Sequence, residues 1–126
     1  MLTPNLVILY VRDPAASAAF YERLLGRPPA ARFPAYVSFA FDNGLNLGLL
    51  STGSAALATG LDAAPAGSRT ELAVMVEDAD AVEALYAEWR RQGVPIAQEI
   101  VTLSFGRTFV ALDPDGHRLR ICTPDK

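Results

Sequence analysis

Apolar positions along the chain fall in short runs separated by turn residues, and the runs change period in a fixed order. Leu6 to Val11 (LVILYV) is a continuous apolar run of the length of one buried strand. It stops at Arg12-Asp13-Pro14, where an aspartate N-cap followed by proline at the first helical position predicts a helix start. Ala16, Phe20 and Leu24 then share one face at helical spacing, and Gly26 with Pro28-Pro29 beyond it predicts the stop. The same order recurs 65 positions later, so that Asp78 stands where Asp13 does. Glu71 to Val76 reads as a strand, Phe20-Tyr21 aligns with Leu85-Tyr86, and the second helix ends at Gly93 with Pro95 just after it. Asn43-Gly44 and Asp115-Gly116 are two-residue hairpin signals. Each is followed by a strand, Leu45 to Leu50 and His117 to Cys122. The prediction is an α+β protein of two tandem βαβββ modules in one domain over residues 1–126. Module one runs to about residue 51 and module two covers 69–126. Residues 52–68, rich in Ala, Gly, Ser and Thr and without periodicity, read as a linker.

Alternation within the strands sorts their side chains into two faces. Val7, Leu9 and Val11 oppose Leu6, Ile8 and Tyr10, and Leu72, Val74 and Val76 oppose Glu71, Ala73 and Met75. The helix after each first strand must cover one face, and the aliphatic sets belong under it. In the last strands Leu45, Leu47 and Leu49 oppose Asn46, Gly48 and Leu50, while Leu119 and Ile121 oppose Arg118, Arg120 and Cys122. The second face thus combines apolar residues with a few polar ones, the usual makeup of a small-molecule site. A plain solvated face would leave Leu6, Ile8, Tyr10 and Met75 exposed together. Phe105, beside Gly106 in the loop-like stretch LSFGR, reads either as a core aromatic or as a wall of such a site, and Arg107 either as a solvated side chain or as one that reaches an anionic ligand group.

Composition narrows the partners. Apolar residues at 51% and charged residues at 20% describe an ordinary globular chain with enough apolar side chain for a core. A net charge of −3 gives neither the basic footprint of a nucleic-acid binder nor a polybasic membrane patch. One cysteine, Cys122, and one histidine, His117, exclude an internal disulfide framework and any site needing two histidines from one chain. No run approaches the ~20 apolar residues of a membrane span, and no leader pattern stands at the N-terminus, so a cytoplasmic protein is expected. Cys122 reads as a small core residue, and Trp89, four residues after Leu85, as helix packing.

The segments LYVRDPAASAAFYERLLG, ELAVMVEDADAVEALYAEWRRQGV and FGRTFVALDPDGHRLRICTP resemble the vicinal oxygen chelate superfamily. That superfamily includes glyoxalase I, bleomycin-resistance proteins, extradiol dioxygenases and fosfomycin-resistance enzymes. The resemblance implies two βαβββ modules forming a U-shaped sheet cup, commonly in a homodimer. It also implies a metal held in the enzymes by the first and last strand of each module. Carried onto this chain, those positions are Leu6, Gly48, Glu71 and Arg120. Only Glu71 among them donates to a cation, so neither metal nor other cofactor is expected. The chain is similar to the metal-free members, which sequester toxic small molecules such as antibiotics. A hydrophobic or aromatic ligand is expected, with a metal-dependent lyase, isomerase or dioxygenase as the alternative. Glu71 and Arg120 would form an ion pair, either a clamp for a ligand's polar group or a structural salt bridge. Glu71 is a weak candidate for a general base, because an arginine partner lowers its pKa.

Overall fold

A computed structural model describes residues 3, 5–53, 70–103 and 106–124. The predicted linker therefore falls outside the described residues except at Thr52 and Gly53, and so does Phe105. The chain divides into two compact units, residues 1–66 and 67–126.

The first unit contains β1 (Leu6–Val11), α1 (Pro14–Leu25), β2 (Ala31–Phe33), β3 (Tyr36–Ala40) and β4 (Asn46–Ser51). Its four strands lie in the order β1-β4-β3-β2, with β1 parallel to β4 and the other pairs antiparallel. The second unit repeats the design with β5 (Glu71–Met75), α2 (Ala79–Arg91), β6 (Ile96–Leu103), β7 (Gly106–Leu112) and β8 (Arg118–Cys122). Its order is β5-β8-β7-β6, again with only the first pair parallel. The parallel pair follows from the crossover and the two hairpins after it: the helix carries the chain to the far edge of the sheet, and two reversals then bring the last strand back beside the first in the same direction. Both units are the expected βαβββ modules. Among the described residues no helix is long and apolar enough to cross a membrane.

The predicted caps form. Asp13 Oδ1 accepts from the amides of Ala15 at 3.1 Å and Ala16 at 3.3 Å, and Asp78 Oδ1 accepts from Ala81 at 2.9 Å. Gly26 closes α1 in the left-handed conformation at φ +71°. The two hairpins differ from the sequence reading by one residue. Gly44 N–H donates to Phe41 O at 3.2 Å and Phe41 N–H to Leu45 O at 2.9 Å, so the loop has three residues rather than two. Asp113 and His117 bracket the other hairpin identically. Gly44 and Gly116 sit at φ +90° and +84°, the bulge position that ends such three-residue loops. Asn43 and Asp113 favour this form because each side chain accepts from a backbone amide two residues ahead, Leu45 and Asp115 respectively.

Each helix covers one face of its own sheet. Helix α1 packs on β3 and β4. Its buried residues are Pro14, Ser17, Ala18, Phe20 and Tyr21, so the predicted Phe20 is covered, whereas the predicted Ala16 is exposed and Leu24 only half-buried. The ring of Tyr21 sets the helix rotation, because burying it removes more surface from water than any alanine in the segment. Val7 is also less covered than expected, at 38% exposure, because β1 is an edge strand and α1 lies over β3 and β4. In the second unit Phe109 is the centre of the core, with the Tyr86 and Trp89 rings edge-on to it at 5.1 and 5.5 Å. Trp89 is thus packing, as the sequence predicts. Truncation of the fully buried Phe109 to Ala is expected to cost about 3–5 kcal/mol. Urea unfolding followed by Trp89 emission checks this; a loss below 1 kcal/mol would contradict the core assignment.

Candidate functional site

The register of the first sheet brings one row of side chains together on the face away from α1. Tyr10 pairs with Leu50, Leu50 with Tyr36, and Tyr36 with Phe33. Directly opposed residues in neighbouring strands project to the same side, so three aromatic rings and a leucine cross all four strands. Strands ~4.8 Å apart make this row roughly 14 Å long. Arg32 confirms the alternation, since its guanidinium reaches Glu22 on α1, at 3.3 Å, from the other side. Tyr10 is 44% exposed and Phe33 62%. Leu6 and Ile8 lie on the same face of β1, also exposed. Phe33 and Tyr36 carry no role in the sequence reading. Their strands are short, and only the cross-strand register shows that they join Tyr10.

The next row is Ile8, Gly48 and Ser38. Gly48 is buried although it has no side chain. The ring of Tyr36 lies on it, and a Cβ there would stand 2.7 Å from Tyr36 Cε1. Glycine at position 48 therefore lets the phenol lie flat across the sheet. Asn46, in the row beyond, gives its amide N–H to the carbonyl of Asn5 at 3.1 Å, which ties the chain before β1 to β4.

The second unit carries a charged cluster on its corresponding face. Glu71 and Arg118 are register partners on β5 and β8, and Arg120 is two residues further along β8. Arg120 grips Glu71 side-on, Nε to Oε1 at 2.7 Å and Nη2 to Oε2 at 3.1 Å. Arg118 Nε donates to Oε2 at 2.9 Å. Arg120 Nη1 reaches over β7 to Gln98 Oε1 at 3.1 Å and Thr108 Oγ1 at 3.0 Å. Val110, the register partner of both Arg120 and Gln98, is fully buried between them. The buried Thr108 hydroxyl in turn donates to Ile121 O at 2.8 Å. The hydrogen bond from Arg120, opposed by partial burial and assisted by Arg118, lowers the Glu71 carboxyl from 4.5 to about 2. So weak a base is poorly matched to proton abstraction near neutral pH. Ala73 and Met75 continue the same face of β5, and Met75 is 62% exposed.

One predicted site residue lies elsewhere. Arg107 alternates with Thr108 onto the helix side, where Nε and Nη2 bind Glu83 of α2 at 2.8 and 2.7 Å. The structure therefore does not bring it together with Arg118 and Arg120. Cys122 falls on the cluster's face by alternation and is 93% covered, the small core residue the sequence predicts, its thiol against Val74 O at 3.9 Å. A surface depression of about 330 Å³ opens on neither sheet face named above but beside the end of α2, between Tyr86, Arg90, Val94, Ile96 and Glu99.

With this geometry in place, comparison with known proteins decides the family. The sequence profile of the glyoxalase/bleomycin resistance protein/dioxygenase superfamily matches residues 3–121. The chain belongs to that superfamily. It is 32% identical over 127 aligned residues to the phenazine antibiotic resistance protein EhpR of Enterobacter agglomerans, covering 98% of this chain and 94% of that protein. The solution NMR structure of protein ATC0852 from Agrobacterium tumefaciens superposes with a TM-score of 0.84, at 38% identity over 100% of both chains. A superfamily member from Burkholderia phytofirmans PsJN gives a TM-score of 0.80 over 94% of this chain and 96% of that one. At 20% identity it supports the fold alone.

The four positions onto which the family resemblance carries a metal, Leu6, Gly48, Glu71 and Arg120, do not fit a divalent cation. Leu6 is an aliphatic side chain, and Gly48 has none and is covered by Tyr36. Both Glu71 oxygens are taken by arginines, and Arg120 is itself a cation. Among the described residues no three His, Cys, Asp or Glu side chains are grouped to hold a metal ion.

The Glu71 cluster has a pH signature. Its folded pKa lies below its unfolded one, so ionised Glu71 contributes stability fully above about pH 4.5 and loses it as pH falls toward 2. Solvent screening of this partly exposed group limits the contribution to about 1 kcal/mol. The stability difference between wild type and Glu71→Gln, from urea midpoints, is expected to shrink between pH 6 and pH 3. A difference independent of pH would contradict the ion-pair geometry.

Proposed function

We propose that this protein is a metal-independent binder of a planar aromatic small molecule, for which phenazines are the model, and that it acts by sequestration. The observation that carries the reading is the row Tyr10, Leu50, Tyr36 and Phe33 on an uncovered sheet face. Aromatic rings exposed in a line form a surface that water solvates poorly and that a flat π-system covers well. The similarity to a phenazine antibiotic resistance protein over nearly the whole chain supports a ligand of that class. Metal independence is supported by the donor set. Leucine, glycine and arginine occupy three of the four superfamily positions, and the fourth, Glu71, is neutralised by its own neighbours. Among the described residues these four positions offer no donor set for a Lewis-acid metal, and Glu71 is no base poised near neutral pH, which favours holding a ligand over transforming it.

The test is equilibrium titration with phenazine of the wild type and of Phe33→Ala and Tyr10→Ala. Micromolar or tighter binding by the wild type is expected, weakened about ten-fold by each substitution, or ~1.4 kcal/mol. Recovery of phenazine unchanged after prolonged incubation is expected as well. Absence of wild-type binding, or steady conversion of the compound, would overturn the reading.

A further inference from the structure

On the open face of the first sheet, the row next to the aromatic one is built mostly of small side chains. It runs Ile8, Gly48, Ser38 and Ala31 across the same four strands. The two rows are two residues apart along each strand, or roughly 7 Å. Tyr36 connects them. Its Cα stands in the aromatic row beside Leu50, and its phenol crosses to Gly48 of β4 in the next row. There the hydroxyl end takes the place of the missing side chain of residue 48. A Cβ would collide with Oη and stand 2.7 and 2.9 Å from Cε1 and Cζ. Side chains on a strand ordinarily stand up from the sheet. This one leans along it, and glycine at position 48 gives it the room.

The polar end of that side chain is unlike the rest of the aromatic row. Among the described residues the Tyr36 hydroxyl has no hydrogen-bond partner, and neither has the hydroxyl of Ser38, the register partner of Gly48. Both residues are half-buried, and neither oxygen is sealed from solvent. Each hydroxyl offers one O–H donor, and a phenol keeps its proton at neutral pH. A ring system laid on Tyr10, Leu50 and Phe33 that reaches the next row brings its edge to these two hydroxyls. A hydrocarbon edge would cover them and leave them without water or partner, which is unfavourable. A bare ring nitrogen or ring carbonyl accepts from them instead.

We infer that the Tyr36 hydroxyl reads the edge of the ligand, so that the site takes planar aromatics with an unprotonated acceptor in the ring system rather than aromatic hydrocarbons. Gly48 is the positioning residue for that hydroxyl. The inference rests on the reading of this face as an aromatic site, and the experiment separates the two. Phenazine and anthracene share one fused-ring shape, and only phenazine has ring nitrogens with in-plane lone pairs. Each compound at trace concentration is brought to dialysis equilibrium with excess wild type, Tyr36→Phe or Gly48→Ala. The readout is the ratio of the two affinities within one protein, which a general loss of folded protein does not move. Tyr36→Phe keeps the ring and removes the donor. It is expected to lower the phenazine-to-anthracene ratio about five-fold, the scale of one neutral hydrogen bond. Gly48→Ala keeps the hydroxyl but displaces it, and is expected to lower the ratio as well. A ratio that survives Tyr36→Phe would overturn the inference while leaving the aromatic reading standing. A ratio that survives Gly48→Ala would overturn the part assigned to Gly48. Absence of wild-type binding to both compounds would overturn both readings.

Discussion

Each module has one helix for a sheet that has two faces. Everything else in the molecule follows from that shortage. Helix α1 covers Val37, Phe39, Leu47 and Leu49, and α2 covers Phe109, Leu119 and Ile121, all close to fully buried. Side chains of period two then send an equal number of residues to the opposite face, where no described helix or strand of the same module covers them. A domain of this size has little apolar surface to spare. Leaving Tyr10, Phe33 and Met75 about half or more exposed therefore needs a use for them.

The same constraint explains why the charged cluster sits where it does. The superfamily's enzymes use the open faces for metal. At the positions where the resemblance leads one to expect that metal, this chain has an ion pair, Glu71 with Arg120, in the second module, and in the first a glycine, Gly48, covered by the ring of Tyr36. A carboxylate facing a divalent cation and a carboxylate facing a guanidinium satisfy one electrostatic requirement in two ways, and only the former leaves an open coordination position for chemistry. The Glu71 and Arg120 pair is partly solvated and adds little net stability once desolvation is counted. Its consequence is orientation, a rigid fork-to-fork contact that fixes the neighbouring Arg118.

Much of this was readable in the chain, and the rest was not, for physical reasons. The two modules, their caps and the sorting of β1, β4, β5 and β8 into two faces depend on local signals: Asp13 and Asp78 as caps, turn glycines, and strict alternation. The pairing of Glu71 with Arg120 also follows from alternation plus the family's strand order. Helix rotation was less accessible, because a run of alanines at 15, 16, 18 and 19 gives a weak periodic signal and the burial of Tyr21 decides it. The aromatic row is a property of register. Phe33 on the three-residue strand β2 has no neighbour in sequence that marks its face. Arg107 was associated with the open face by proximity to Phe105, whereas alternation along β7 turns it to Glu83.

The central claim is that the open face of the first sheet binds an aromatic ligand without a metal. The most direct measurement is calorimetric titration of phenazine into protein dialysed against EDTA, and again after adding zinc, nickel or manganese. One binding isotherm with the same affinity in every case is expected. Binding that disappears in EDTA and returns with one equivalent of metal would contradict the account. It would restore a metal-centred function to Glu71.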